Sequence, residues 1–355
     1  MSPRPASPGP RPDPNAPLQA SGLPPRIRAA LRKAGAARIG DLARPLPPDA
    51  LPDADDRALL QRVAAWCAAA GSGSGPPRLN LPEWLRLFLT PRLADALRIH
   101  YGLDEPAAAL ARHESTLRDT GFKLGVTRER ARQLLQLAFD TLRRPVPLHA
   151  AEPLFGAAEQ AAREAGGVLD APALAELRHP AWGGLSPAGA FLLLAHLLPG
   201  RLVRYRDFFS VWSDIQLDRT EKALRDRLAA AAEPQPVKTL ARDLPAAARP
   251  PGVPSPAPLL RMLLRHMPDT FATLDDRGGF IDRHAAGLLC EILADTGEAP
   301  LRTLTAEFNR RLHPECRRGS GTLRTLLGRD PRIRKTAPGR YALPGGLQTR
   351  LPLDS

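Results

Sequence analysis

The sequence predicts a mainly α-helical chain, organised as an array of small helical units of which several close with a short β-hairpin. Three observations lead there. Apolar residues recur at helical spacing in many short stretches. Clusters drawn from 40 prolines and 28 glycines among 355 residues cut those stretches every few turns. After residue 148, three helices followed by a β-rich segment recur at a spacing of roughly 65 residues.

The first segment, 1–20, is Pro-rich and has no apolar run of the kind a secretory signal needs, so a disordered tail is expected. Residues 21–70 then read as a helical hairpin. Within the string Leu23 to Leu42, a helix meets a Gly35 turn, and Ile39-Gly40-Asp41-Leu42 reads as the start of the next helix. Backbone amides at that turn and helix start are candidates to approach a phosphate. The run GSGSGPP makes 71–82 a linker.

Residues 83–147 carry the most informative pattern. Thr90-Pro91 suits a helix start, Leu93, Ala94, Leu97 and Tyr101 share one face, and Gly102 ends the helix. A second helix begins near Thr116, with Leu117, Thr120 and Leu124 on one face, and ends at Gly125, a residue type suited to a left-handed turn. A third, 127–143, should bury Ala131, Leu134, Ala138 and Leu142. Its opposite face displays Arg128, Glu129, Arg132, Gln133 and Gln136. Two helices around a glycine turn form a helix-turn-helix, and this display matches what the DNA major groove offers. Arg bonds guanine through its fork, Gln pairs with adenine, and Glu accepts from the cytosine amino group.

The remaining chain divides into units 148–216, 217–282 and 283–346, then a tail, 347–355. The first unit has helices at 152–165, 171–177 and 186–198 and a strand-like 201–212. The second has helices at 219–232, 237–244 and 255–266 and a hairpin, 270–281, turning at Asp275-Asp276-Arg277-Gly278-Gly279. The third has helices at 283–296, 301–312 and 321–327 and a hairpin, 332–343, turning at Ala337-Pro338-Gly339. Three helices and a two-stranded ribbon follow the winged-helix plan, the ribbon being the wing. The third helix of the first unit, around Phe191-Leu192-Leu193-Leu194, is apolar and reads as core or protein interface.

Charge points to an anionic partner. The formal net charge is +13, and from Leu301 to Arg350 twelve Lys or Arg face only Glu307, Glu315 and Asp330. Arg317, Arg318 and Arg324 fall on or beside the third helix of the last unit. Arg332, Arg334, Lys335 and Arg340 fall in its wing, an arrangement suited to phosphates. Much of that charge is Arg in an Ala- and Pro-rich chain, a composition that a GC-rich genome also produces.

Other classes find little support. Cys67, Cys290 and Cys316 are scattered and form no CxxC pair, which fits buried thiols in a reducing compartment. No apolar run is long enough to span a bilayer. No GxxxxGK[ST], HExxH or GxSxG pattern occurs, Asp53, Asp55 and Asp56 read as an acidic helix start, and His313 with Cys316 lacks two further zinc ligands. The expectation is a non-enzymatic protein with no cofactor, no metal, no membrane association and no small-molecule substrate.

Three resemblances sharpen this. Tyr101-Gly102-Leu103-Asp104, Thr116-Leu117-Arg118-Asp119, Gly121 and Leu124-Gly125-Val126-Thr127-Arg128-Glu129-Arg130-Ala131-Arg132-Gln133-Leu134 resemble region four of bacterial primary sigma factors, which reads the promoter −35 element. The resemblance implies base-edge or phosphate roles for Arg128, Glu129, Arg130, Arg132 and Gln133. The chain departs from that family at Leu135 and Leu137, usually charged, at Thr120, usually apolar, and in a long connection from Asp104 to Ser115. The two leucines suggest that the helix also packs against a neighbour. Nothing resembles the aromatic-rich region that melts DNA.

The stretch from Leu23 to Leu42, with its Ile39-Gly40-Asp41-Leu42, resembles the C-terminal domain of the RNA polymerase alpha subunit, which implies minor-groove contact. The ending from Arg329 through Gly339-Arg340-Tyr341-Ala342-Leu343 resembles winged-helix modules of the HARE type, also found in the RNA polymerase delta subunit. Together these imply a cytoplasmic, nucleoid-associated bacterial protein that binds specific double-stranded DNA through 127–143, as a sigma-like or promoter-associated transcription regulator. The alternative is an adaptor that docks RNA polymerase or a larger complex, including a DNA-targeting subunit of a multi-gene defence system.

Overall fold

The computed structural model of the protein describes residues 13–43, 46, 50–71, 77–105, 115–249 and 255–344. The end tails at 1–12 and 347–355, the core of the linker at 72–76 and the connection at 106–114 lie outside the described residues. Those described are mainly helical, with three small three-stranded sheets. Among them, no helix is long and apolar enough to cross a membrane.

The chain divides into two compact units, one of 1–164, 169–204 and 209–211, the other of 165–168, 205–208 and 212–355. The first unit contains helices α1 (Pro25–Lys33), α2 (Ala54–Gly71), α3 (Leu81–Phe88), α4 (Pro91–His100), α5 (Leu117–Lys123), α6 (Arg128–Leu142), α7 (Pro145–Ala150) and α8 (Glu152–Glu164). After strand β1 (Val168–Asp170) come α9 (Ala171–Glu176) and α10 (Pro187–Leu197), then β2 (Val203–Tyr205) and β3 (Phe208–Ser210). Pro at the first turn presets the helical φ where no amide is needed, as at Pro25, Pro91 and Pro145. The Asn80 side chain accepts from the Glu83 amide and the Glu83 carboxylate accepts from the Asn80 amide, so α3 starts inside the expected linker.

The core of this unit is aromatic and aliphatic. Trp84 is buried and donates to the Pro147 carbonyl at 2.9 Å, while Trp66 meets Phe88 edge-on at 6.0 Å. The expected N-terminal tail is shorter than its composition implies. Leu18 is fully buried, and Ile39 and Gly40 donate to the carbonyls of Ala16 and Pro14 at 2.9 and 2.8 Å. Leu18 and these two hydrogen bonds anchor the Pro-rich segment. Ile39–Asp41 forms only a three-residue 3-10 turn rather than the start of a helix.

The second unit contains α11 (Asp214–Ala230), β4 (Gln235–Pro236), α12 (Val237–Arg242), α13 (Ala257–His266), β5 (Thr270–Ala272) and β6 (Arg277–Phe280). These lead into α14 (Ile281–Thr296), β7 (Ala299–Pro300), α15 (Leu301–Arg311), α16 (Ser320–Arg329), β8 (Arg334–Ala337) and β9 (Arg340–Ala342). The three sheets have the orders β1-β3-β2, β4-β6-β5 and β7-β9-β8. Each hairpin therefore takes a short strand from before its second helix onto its later arm, a strand that sequence patterning did not reveal. In the second and third sheets the pairings are antiparallel, with Gln235 opposite Gly278 and Ala299 opposite Tyr341. Strands of two or three residues carry no readable alternation in the sequence.

Within this unit the β5–β6 turn lies on the end of α15. Leu274 donates to the Arg311 carbonyl at 2.8 Å, His313 donates to the Ala272 carbonyl at 3.0 Å, and Phe271 faces Phe308 at 6.5 Å. Cys316 is buried and accepts from the Ala272 amide through Sγ at 3.3 Å. In the first unit, burial pushes the Cys67 thiol up to about 12.

Candidate nucleic-acid interface

Helices α5 and α6 are joined by a turn whose geometry is fixed at two glycines. Gly125 has φ +66°, the left-handed region that side chains disfavour. A Cβ on Gly121 would stand 2.9 Å from the Val126 carbonyl oxygen, so only glycine lets α5 lie this close to the start of α6. Both helices are capped by threonine. Thr116 Oγ1 accepts from the Asp119 amide at 3.2 Å and donates to the Asp119 carboxylate at 2.7 Å, which holds that carboxyl below its usual range. Thr127 Oγ1 accepts from the Arg130 amide at 3.2 Å.

The inner face of α6 buries Ala131, Leu134, Leu135, Ala138, Phe139 and Leu142. Its outer face presents Arg128, Glu129, Arg130, Arg132, Gln133 and Gln136, all exposed. The contacts among them stay within the helix. Arg132 donates to both Glu129 oxygens, at 2.7 Å from Nη2 and 3.0 Å from Nε, and this hydrogen bonding lowers the Glu129 pKa. Arg130 donates to Gln133 Oε1 at 3.1 Å, and Gln136 donates to Asp140 at 2.9 Å. Solvent-exposed pairs of this kind add little to helix stability, so a ligand exchanges them at little cost. Arg128 forms no ion pair among the described residues.

The unusual positions of α5 and α6 have separate explanations. Thr120 is fully buried, and its hydroxyl meets His100 Nδ1 of α4 at 3.1 Å, so the polar side chain is satisfied inside the core. Leu135 is buried, whereas Leu137 is 44 % exposed. Packing against the neighbour falls to Phe139, which stacks on His196 of α10 at 4.4 Å, and to Arg143, which donates to the His196 carbonyl at 2.9 Å. Tyr101 to Leu103 serve the same contact. Ser186 donates from its amide to the Leu103 carbonyl at 2.7 Å, and a Cβ on Gly189 would stand 2.5 Å from the Tyr101 carbonyl oxygen.

Phe122 escaped the sequence reading. It lies off the Leu117–Thr120–Leu124 face and is 87 % exposed at the end of α5. Helical spacing places it outward, and attention to the apolar stripe alone passed it over.

The hairpin at Gly35 does not offer the amides expected of it. Gly35 and Ala36 donate to the Arg32 and Leu31 carbonyls, Ala37 and Arg38 donate to the Asp41 carboxylate at 2.9 and 3.0 Å, and Ile39 and Gly40 are engaged as described. The expected phosphate approach there is corrected, because Asp41 and the packed N-terminal segment already fill those donors.

In the last repeat the predicted basic residues separate into two groups. Arg318 is half-buried and donates to the Thr270 and Pro268 carbonyls at 3.1 and 3.3 Å, so it ties the last repeat to the one before it. Arg332 pairs with Asp330 at 2.8 Å and Arg340 with Glu298 at 2.5 Å. Arg317, Arg324, Arg334 and Lys335 are exposed and form no ion pair among the described residues.

No family model matches the chain, and neither a curated protein nor a solved structure matches it.

Proposed function

We propose that the chain is a sequence-specific double-stranded DNA-binding protein that reads the major groove with α6, as a sigma-like or promoter-associated regulator without enzymatic activity of its own. One observation carries the reading. The N-terminal half of α6 presents Arg128, Glu129, Arg130, Arg132 and Gln133 to solvent, followed by Gln136 on the same face, while Ala138, Phe139 and Leu142 pack its C-terminal half into the protein. A helix that enters the groove reads bases with its N-terminal residues, and those side chains supply the donors and acceptors that distinguish base pairs. In this reading α5, the Gly125 turn and α6 form a helix-turn-helix, and the repeats after residue 148 are winged-helix units. Their +13 host chain works in the cytoplasm on nucleoid DNA.

Selection of bound duplexes from a randomised pool tests this. Enrichment of one motif supports base reading, and a pool that stays random contradicts it.

A second reading, an adaptor docking RNA polymerase, draws on Phe122 and Leu137, two exposed apolar side chains on the same helix pair. Co-purification with core polymerase that is lost in Phe122→Asp supports that role.

A further inference from the structure

The last repeat contains an open groove of about 580 Å³ between α15, α16 and the β8–β9 turn, lined by Leu301, Arg302, Thr305, Ser320, Arg324 and Gly339. We propose that this groove seats backbone phosphates of duplex nucleic acid, gripped by Arg302 and Arg324. The inference rests on the DNA-binding reading but concerns a different surface and different chemistry.

Charge selects the ligand. Acids neutralise much of the basic surplus here, with Arg310 on Glu307, Arg311 on Asp295 and Glu291, Arg332 on Asp330 and Arg340 on Glu298. Arg302 and Arg324 have no ion-pair partner among the described residues, and they line the same groove. Arg334 and Lys335 on β8 are exposed in the same repeat and likewise unpaired among those residues. The Ser320 hydroxyl is a third donor in the groove, whereas the Thr305 hydroxyl proton is committed to the Leu301 carbonyl at 2.8 Å. Two guanidinium forks on a floor of Pro300, Leu301 and Ala306 suit a chain of phosphodiesters, since the fork matches phosphate oxygens and the apolar floor offers nothing to compete.

The other repeats lack the same opportunity. In α10 the buried residues run from Ala188 to Ala195 and include Leu197, and α13 has no exposed residue, whereas Ser320, Gly321, Thr322, Arg324, Thr325, Gly328 and Arg329 of α16 are all exposed. Gly321 and Gly328 meet nothing within 4 Å at their Cβ positions, so internal packing does not demand glycine there. The bare backbone at these two positions, one turn either side of Arg324, lets a ligand's own backbone come close.

The test uses the full chain and random-sequence duplex, with binding measured across a salt series. In the double variant Arg302→Ala/Arg324→Ala, the slope of log affinity against log salt should fall by about 1.8, at about 0.9 per phosphate contact. The double variant Arg302→Lys/Arg324→Lys should keep the slope, because each site retains its charge, and circular dichroism on both variants checks the fold. The motif selected from a random pool should be the same in the alanine variant. An unchanged slope in a folded alanine variant overturns the proposal, whatever α6 does. Saturable binding of inorganic phosphate that competes with duplex at equal concentration overturns it in favour of a small-anion site. Failure of the α6 reading shows itself separately, as loss of motif selection with the salt slope intact.

Discussion

Phe139 of α6 and His196 of α10 stack with their ring centroids 4.4 Å apart and their planes 20° from parallel. The Arg143 guanidinium lies over the Phe139 ring, 5.3 Å from its centroid, and donates to the His196 carbonyl. Half of α6 is thereby an internal beam, which leaves the half bearing Arg128 to Gln133 as its presenting end. Phe139→Ala should cost about 3–5 kcal/mol, as for other buried phenylalanines. Thermal denaturation should show a clear drop in Tm, with DNA affinity unchanged at temperatures where the variant is folded.

The spacing between α5 and α6 depends on Gly121. Gly121→Ala forces its new methyl against the Val126 carbonyl and should cost about 1–3 kcal/mol, while moving the start of α6 and weakening DNA binding beyond the loss of fold. Gly125→Ala, in open space at φ +66°, should cost about 1–2 kcal/mol and leave the helices in place. Equal effects of both substitutions on DNA binding at matched folded fraction would contradict this distinction.

The His100–Thr120 contact makes a finer prediction. Thr120→Val removes the hydroxyl that His100 Nδ1 meets at 3.1 Å, with little change of shape, and should cost about 1 kcal/mol in denaturant unfolding. A variant of unchanged or raised stability would show that the core prefers an apolar residue here.

Acid should unfold the second unit through Glu221. Burial raises its carboxyl pKa, but hydrogen bonds from Tyr205 at 2.8 Å, Arg206 at 2.9 Å and Arg225 at 3.0 Å outweigh that, and the pKa lies below the usual carboxylate value. A carboxyl depressed in the folded state contributes stability above its unfolded pKa, about 4.3, and loses it as pH falls through the folded value. Glu221→Gln should therefore lower Tm at pH 7 and flatten the fall in Tm below about pH 4. A fall as steep as that of the parent chain would place the acid sensitivity elsewhere.

Much of this arrangement was legible in the sequence because it rests on side-chain periodicity and turn chemistry. Ala131, Leu134, Ala138 and Leu142 repeat at helical spacing and are buried, and Gly125 occupies the left-handed turn position. What was not legible depends on partners distant in sequence. Leu18 looks like part of a Pro-rich tail until Ile39 and Gly40 bind its neighbours, and Arg318 looks like a phosphate ligand until the Thr270 carbonyl takes it.

Aromatic residues bear on whether this protein opens DNA. Trp66, Trp84, Trp182 and Trp212 are all buried, and holding unstacked bases requires aromatic faces that are free. Core RNA polymerase supplied with this protein alone should not initiate from a linear, fully paired promoter. Permanganate-reactive thymines under those conditions, with no other sigma factor present, would contradict this and make the protein an initiation factor.

The most direct measurement is the affinity of Arg132→Ala for the best duplex selected by the parent protein and for random duplex, side by side at fixed salt. Arg132 stands on the exposed side of α6, held by Glu129 in the free protein. The variant should lose about 1–3 kcal/mol on the selected duplex, relax the base preference at one position, and lose much less on random duplex. Equal losses on both would mean that Arg132 supplies charge without reading a base, and would contradict the central claim.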